Sequence, residues 1–498
     1  MNIIKKNIVA NFAGSIWQGI MVVVFTPLYI KFIGIESWGL IGFFATLQAV
    51  FLISDMGISG TLNREMARLS ALPHKEQEMR NLVRTLEMIC WCVAVFIGII
   101  AMSLAPFIAH HWIKAGQLSV RTVEQALLLM GFVIALQLPT GFYSGGLMGL
   151  QRQVPLNVIN AGMATARGVG AVIILWLFFP TIQAFFLWLS IIAAANIFIL
   201  AFFFRRELPS VGGKAVFRKK LLNGVWRFAA GMSGISVLAV ILAQMDKVIL
   251  SKMLSLKMFG YYMLASIVAI NLGRLFAPFF YSIYPKLTQL VALDDQSGLK
   301  EFYHKCCQLI SVIILPVTVV VALFSYEIIL LWTQNPETAR ITCLLVSILT
   351  CGTGLSGLMS PPYALQLAFG WTRLSFFKNM IAVVAAVPLI ICMTARYGAV
   401  GAAGVWLTLN IGYIIIEIPI MHRKLLRGEE RMWYWQDVAV PLMVCIFVAG
   451  IGRILMRGPM PQHITLFCLA VISTLTFGMT AIAAPVTRVW LFKRLPRF

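Results

Sequence analysis

Long apolar stretches alternate with short polar segments from one end of the chain to the other. Fourteen of the apolar stretches approach the roughly 20 residues that an α-helix needs to cross the hydrocarbon core of a membrane. We therefore predict spans at approximately 8–30, 38–58, 85–109, 121–148, 157–179, 183–204, 227–251, 258–284, 306–332, 339–365, 376–395, 400–421, 438–456 and 463–487. The segments between them leave no room for a soluble domain, so the pattern predicts an all-α, polytopic membrane protein.

The composition agrees with this pattern and excludes several kinds of chemistry. Of the 498 residues, 60% are hydrophobic and 12% are charged, against about 25% charged residues in soluble proteins. The nine cysteines lie in or beside apolar stretches, which favours packing roles over a disulfide framework. The adjacent His110 and His111 lack a cluster of Cys, Asp or Glu at ligand spacing, and no GxxxxGK[ST] loop is present. We therefore expect no metal site and no cofactor.

The positive charge of the chain indicates its orientation rather than a nucleic-acid partner. The formal net charge is +22, but Lys and Arg are spread through short segments instead of forming one basic module. If both ends of the chain lie on one side, 28 of the 40 basic residues lie on that side and 9 on the other. Such an imbalance in short loops predicts that both termini are cytoplasmic.

An internal repeat relates the two halves of the chain. Residues 29–44, YIKFIGIESWGLIGFF, align with residues 250–265, LSKMLSLKMFGYYMLA, at an offset of 221 that pairs Gly39 with Gly260. Further matches follow in chain order at offsets of 215 to 219, pairing Gln151 with Gln366, Asn160 with Asn379 and Trp188 with Trp406. Spans 1–6 therefore repeat as spans 7–12.

The repeat predicts the domain organisation. Six spans per repeat give both halves the same orientation, with a pseudo-two-fold axis along the membrane normal and a cleft between two lobes. We expect an N-lobe at 1–206, a basic cytoplasmic linker at 207–226, a C-lobe at 227–424 and two accessory spans within 425–498.

Two stretches carry a resemblance to a known family. SDMGISGTLNREMAR, residues 54–68, resembles an aspartate- and glycine-rich run that leads into a basic loop, and QMDKVILSKMLSLKMFGYY, residues 244–262, resembles the span-7 segment of the same family. That family is the bacterial O-antigen and polysaccharide-unit flippases of the multidrug/oligosaccharidyl-lipid/polysaccharide superfamily. The resemblance extends over nearly the whole chain and agrees with two six-span lobes plus two further spans.

The resemblance implies a transport function and no enzyme activity. A flippase of this kind moves a lipid-pyrophosphate-linked oligosaccharide from the cytoplasmic to the periplasmic leaflet of the bacterial inner membrane by alternating access, and we expect ion coupling. The implied partners are this substrate and membrane lipids, with a polysaccharide polymerase and chain-length machinery as further candidates.

Three charged residues lie deep within predicted spans. Along regular helices, Arg274 lies about 18 Å, Arg167 about 15 Å and Asp55 about 13 Å from the predicted cytoplasmic ends. A buried ion is costly, and the guanidinium group matches phosphate oxygens, so these residues are the candidate pyrophosphate site, with Asp55 as orienter or proton acceptor. The alternative is that Asp55 pairs with one of the arginines to hold the helices together.

Amide side chains within the spans are candidates for binding sugar hydroxyls or for bonding one helix to another. They are Gln18, Gln48, Gln137, Asn160, Asn271, Asn379 and Asn410.

A further polar group, Gln244, Asp246 and Lys247, interrupts span 7 near its outer end. Asp246 lies about 9 Å along the helix from Lys252. Adjacent residues point about 100° apart, so we expect that Asp246 and Lys247 do not neutralise each other and that each needs its own partner or water. The group is either an outer gate or ion-coupling site, or a packing feature in which Lys247 reaches outward.

Two other functions are alternatives to the flippase. A cation-coupled multidrug exporter of the same superfamily would favour a cavity lined by carboxylates, whereas this chain has three cations, Arg167, Lys247 and Arg274, within its predicted spans. A membrane polysaccharide polymerase or ligase would carry a large outer loop with reactive residues, whereas every predicted outer loop is short.

Overall fold

The computed structural model describes residues 3–55, 57–209, 213–218, 240–456, 458 and 460–488. Their regular elements are helices, apart from one bridge pair between Lys114 and Ser255. In chain order they are α1 (Ile3–Phe51), a 3-10 turn (Leu52–Asp55), α2 (Ile58–Ser70), α3 (Glu76–His111), α4 (Val120–Gly149), α5 (Gln153–Leu177), α6 (Ile182–Glu207), α7 (240–253), α8 (Leu256–Ala292), α9 (Gln296–Leu323), α10 (Ser325–Thr333), α11 (Pro336–Leu358), α12 (Ser360–Ala368), α13 (Thr372–Leu425), α14 (Glu430–Met432), a π-helix (Trp433–Ala439), α15 (Val440–Leu455) and α16 (Gln462–Ala483).

The helices confirm the predicted membrane architecture. Among the described residues, eleven helical stretches are long and apolar enough to cross a membrane. Two of them, in α1 and α13, each hold two predicted spans joined at a bend, at Gly34 with φ 79° and Gly398 with φ 60°. Glycine adopts positive φ without a steric penalty, so the chain turns there with little interruption of the helix. The predicted span 227–251 coincides with α7 at its end, and its beginning lies outside the described residues.

The helices group into two units, Met1–Gly260 and Tyr261–Phe498. The lobe and accessory-span boundaries drawn from the sequence stay a prediction. Most of the predicted linker 207–226 lies outside the described residues. Its described part is fastened to α3, where Asn81 Oδ1 accepts the backbone N–H of Val216 and Thr85 Oγ1 accepts that of Arg218.

A close contact in the first unit joins the two aligned segments of the repeat. A Cβ atom placed on Gly39 would lie 2.3 Å from the carbonyl oxygen of Leu256, and one placed on Gly260 would lie 2.3 Å from that of Ile35. The two contacts are reciprocal, because the repeat offset of 221 residues relates Gly39 to Gly260 and Ile35 to Leu256. Reciprocal contacts are the signature of a two-fold relationship, so this packing supports the internal repeat.

In the second unit, a buried polar cluster joins α9 to the elements around the last two spans. Asp437 of the π-helix is fully buried, lies 2.5 Å from Nδ1 of His304 and accepts a 2.9 Å hydrogen bond from the Gln308 amide. The other end of that amide, Gln308 Oε1, accepts the backbone N–H of Val486. The cluster therefore links α9 both to the segment before α15 and to the segment after α16.

Replacing Gly39 with alanine should destabilise the first unit, because the new methyl group would meet the Leu256 carbonyl. The matched control is Gly412→Ala on α13, where a Cβ meets nothing within 4 Å. Alanine in an open helical position is neutral or stabilises by about 0.5–1 kcal/mol. Thermal melting of the detergent-solubilised proteins should show a lower midpoint for Gly39→Ala alone. Equal midpoints would contradict the tight packing.

Replacing Asp437 with leucine should also lower the melting midpoint, because His304 and Gln308 would lose their buried acceptor. A buried polar group left without a partner costs about 1–3 kcal/mol. Gln436→Leu serves as the control, since its side chain is exposed. If both leucine variants melted like the native protein, the cluster would not hold the last spans in place.

Candidate functional site

A cavity with a volume of about 430 Å³ lies inside the first unit, among α1, α4, α5 and α6. Helical spacing places its residues on the inner faces of these helices, since positions three, four and seven apart share a face. Asn160, Met163, Ala164 and Arg167 follow this spacing on α5. The polar lining residues are Gln18, Gln48, Gln137, Thr140, Ser144, Asn160, Arg167 and Asn196.

The side chain of Arg167 supplies the positive charge of this cavity. It is exposed to the cavity, and none of the described lining residues carries a carboxylate. Nor does Arg167 take part in an ion pair anywhere in the described parts of the chain. A cation inside a membrane-spanning unit is costly unless water or an anion solvates it. The cavity is therefore suited to an anionic group.

Buried amide oxygens supply a second kind of binding group. Gln137 Oε1 and Asn196 Oδ1 are buried and have no hydrogen-bond partner among the described residues. Both residues line the cavity. An amide oxygen accepts hydrogen bonds, and a hydroxyl group donates one, so the cavity combines one cationic site with acceptors for hydroxyl groups.

Asp55 lies beside a second, smaller cavity of the same unit. Its carboxylate caps the start of α2, accepting a 2.6 Å hydrogen bond from Ser59 Oγ and a 3.2 Å bond from the Ser59 backbone N–H. The cavity has a volume of about 210 Å³ and shares Gln137 with the larger one. Asp55 and Arg167 thus line neighbouring cavities but do not pair with each other, in contrast to the alternative in which Asp55 neutralises this arginine.

The other predicted residues of this kind belong to the second unit. Arg274 lies on α8 with an exposed side chain. Asn271 and Asn410 donate to backbone carbonyl groups four residues earlier, at Ile267 and Trp406. The combination of Asp55, Arg167 and Arg274 into one site stays a prediction.

The expectation that Asp246 and Lys247 do not neutralise each other is wrong. Lys247 Nζ donates to both carboxylate oxygens of Asp246, at 3.1 and 3.3 Å, and to the carbonyl of Ala243 at 2.9 Å. The lysine stem is long enough to curl back along the helix, so the 100° between adjacent positions does not separate the charges. The role of this pair and of the half-buried Gln244 as a gate or coupling site stays a prediction.

A strap formed by residues 112–118, between α3 and α4, was not foreseen from the sequence. The buried carboxylate of Glu36 accepts the backbone N–H groups of Gly116 at 2.6 Å, Gln117 at 2.9 Å and Leu118 at 3.4 Å. A carboxylate that satisfies three backbone donors holds them firmly. The strap is thereby fixed to the second half of α1.

The other end of the strap is fixed to the turn between α7 and α8. The Leu256 backbone N–H donates to the Lys114 carbonyl at 2.9 Å, and Trp112 Nε1 donates to Ser251 Oγ at 3.0 Å. Lys252 also lies over the Trp112 ring, 4.9 Å from its centre. The strap therefore ties together the same segments that meet at Gly39 and Gly260.

Asn196, Thr140 and Ser144 are cavity residues that sequence reasoning missed. Each is a polar residue in an apolar span and lies at helical spacing from other lining residues. This spacing is the sequence pattern from which their place in the cavity could have been predicted. The strap could not be predicted in this way, because every non-proline residue has a backbone N–H group and the sequence does not indicate which of them bind Glu36.

Comparison with known proteins identifies a matching family and a distant relative. The sequence pattern of a family described as polysaccharide biosynthesis protein matches residues 4–291. A Shigella flexneri protein described as an O-antigen transporter is 21% identical over 405 residues, which are 81% of this chain and 94% of that protein.

Two solved structures show a similar fold. The lipid II flippase MurJ, in an inward closed conformation, has a TM-score of 0.71 and 14% sequence identity, with 99% of each chain covered. An inward-facing multidrug resistance MATE family transporter of the MOP superfamily has a TM-score of 0.68 and 12% identity, covering 82% of this chain and 94% of the transporter. At these identities the likeness shows the fold alone.

Proposed function

Because the chain belongs to the family of polysaccharide biosynthesis proteins, we propose that it is a flippase for a lipid-pyrophosphate-linked oligosaccharide. The saccharide unit passes from the cytoplasmic to the periplasmic leaflet by alternating access, for use in an O-antigen-like surface polysaccharide. The similar O-antigen transporter and the fold shared with MurJ support this proposal.

The observation that carries the proposal is the cavity around Arg167. A saccharide offers many hydroxyl donors and its pyrophosphate offers anionic oxygens, and the cavity offers unpartnered amide acceptors beside one unpaired guanidinium. A cation-coupled drug exporter would need carboxylates facing its cargo, and the described lining of this cavity has none. This chemistry favours the flippase over the exporter of the same superfamily.

The proposed roles follow from these positions. Arg167 binds the pyrophosphate, and the amide groups of its cavity bind the sugar. A phosphate-binding role is likewise proposed for Arg274 of the second unit. Asp55, with its own small cavity, orients the site or accepts a coupling proton. The strap at 112–118 holds together the periplasmic ends of the helices that it joins, α1, α7 and α8, until the substrate is released. The Asp246–Lys247 pair lies on α7, one of these helices.

The proposed location is the bacterial inner membrane, with both termini in the cytoplasm. The surplus of basic residues on the side of the termini supports this orientation. A polymerase and chain-length machinery would then take up the saccharide on the periplasmic side.

Replacing Arg167 with alanine should reduce saccharide export by about tenfold or more, because a hydrogen bond to a charged group contributes about 1.5–3 kcal/mol. Arg167→Lys should restore export partly, since it keeps the charge but loses the planar fork. Surface polysaccharide and accumulated lipid-linked units would be measured in cells that carry each variant as their sole copy.

Arg121→Ala is the control for the loss of one positive charge, because Arg121 lies exposed at the start of α4. It should export normally at equal expression. Normal export by a well-expressed Arg167→Ala protein would overturn the role of the cavity.

The orientation has a separate test. In a variant without the nine native cysteines, all of which are unpaired thiols, Lys214→Cys should react with an impermeant thiol reagent only from the cytoplasm. Asn335→Cys should react only from the periplasm. Both positions are exposed, so reactivity reports the side of the membrane. The reverse accessibility would refute the proposed topology.

A further inference from the structure

A second basic site lies in the second unit, where α13 ends and α14 begins. It is an open depression with a volume of about 390 Å³, and the charges around it are mostly positive. Its lining residues are His422, Arg423, Arg427, Gly428, Glu430 and Arg431.

The local backbone brings these arginines together. The last turn of α13 closes with the Leu426 N–H donating to the His422 carbonyl at 3.0 Å. Gly428 then turns the chain with φ 87°, a conformation that glycine adopts without strain. Arg423 and Arg427 precede this turn and Arg431 follows it, so the three side chains surround one space.

The arginines of the depression have no acidic partner in the described parts of the chain. None of the three forms an ion pair there, and Arg427 Nε donates instead to the carbonyl of Arg423 at 3.2 Å. Glu430 lines the depression and offsets part of the charge. The three guanidinium groups therefore exceed the acidic charge at the site.

The acidic residue next to Gly428 and Glu430 in the sequence, Glu429, is engaged elsewhere. Glu429 lies 2.8 Å from Lys300 Nζ and 3.4 Å from His304 Nε2. The hydrogen bond from Lys300 lowers the pKa of Glu429, which keeps its carboxylate ionised and bound to these partners. The neighbouring carboxylate is thus unavailable to the arginines.

The surroundings of the depression are those of a membrane interface. Ile415 and Ile416, two turns earlier on α13, are 62% and 63% exposed, as lipid-facing residues are. Lys424 Nζ lies 4.0 Å from the centre of the Trp371 ring, and Trp435 is 62% exposed. Tryptophan and basic residues concentrate at the level of lipid headgroups.

We propose that this depression binds the phosphate group of an anionic phospholipid, with Arg423, Arg427 and Arg431 as donors. Guanidinium groups bind phosphate oxygens in pairs of hydrogen bonds, and basic pockets beside membrane helices bind anionic headgroups. The lipid anchors the start of the last two spans. The site is separate from the Arg167 cavity and goes beyond the proposed transport function.

Native mass spectrometry of the full-length protein in detergent, with added phosphatidylglycerol or phosphatidylcholine, tests the proposal. The native protein should retain phosphatidylglycerol preferentially. Arg427→Ala should retain about tenfold less, and Arg427→Lys should lie between them because a point charge replaces the fork. Glu430→Gln should retain more, since it removes the negative charge of the depression.

Lys286→Ala is the matched control, because it removes one exposed positive charge outside the depression, and it should bind like the native protein. Equal retention of the two lipids, or unchanged retention by both Arg427→Ala and Glu430→Gln, would overturn the proposal. Inorganic pyrophosphate that displaced phosphatidylglycerol at equal concentration would also overturn it, in favour of a soluble anion.

Discussion

The absence of water in the hydrocarbon core is the constraint on which this structure depends. Each polar group within a span must find its partner in the protein or in a cavity. Small hydroxyl side chains do so locally, as Thr476 and Thr480 donate to carbonyls four residues earlier. Asp437 finds its partners across helices, and Lys247 finds them on its own helix. Against this background, an interior arginine without an acidic partner is a costly exception, and Arg167 is notable for that reason.

The same constraint explains how much could be predicted from the sequence. Apolar length fixes the number and approximate position of the spans, because the thickness of the bilayer permits few alternatives. The same pattern identifies Arg167 and the amides of α1, α4 and α5, since polar residues are conspicuous within apolar spans. Asn196 is an equally clear polar position in an apolar span. The hydrophobic pattern separates the spans from one another. It does not predict that two pairs of spans join into bent helices at Gly34 and Gly398, because the sequence reports a positive φ only through the presence of glycine.

What escaped prediction depends on contacts distant in sequence or on side-chain flexibility. The Glu36 carboxylate is bonded to residues 116–118, some 80 positions away, and no periodicity reports such a contact. The Asp246–Lys247 pair does not follow from helical geometry, which sets only the Cβ directions, because the four methylene groups of the lysine let its nitrogen return to the neighbouring carboxylate. The His304–Asp437 cluster was missed because its members lie in separate spans, and each looked unremarkable alone.

The two groups of unpaired arginines differ in what the lack of an acidic partner implies. The chain has 40 basic residues and 18 acidic ones, so many cations must lack a partner, and an unpaired arginine in water needs no explanation. Arg167 lies among membrane-spanning helices, where the solvation it lacks has to be replaced, and its position alone implies an anion or water in the cavity. Arg427 and its neighbours lie at the surface, where water is sufficient. Their significance comes from shape, since a turn at Gly428 arranges three guanidinium groups around one space instead of letting them separate as like charges do.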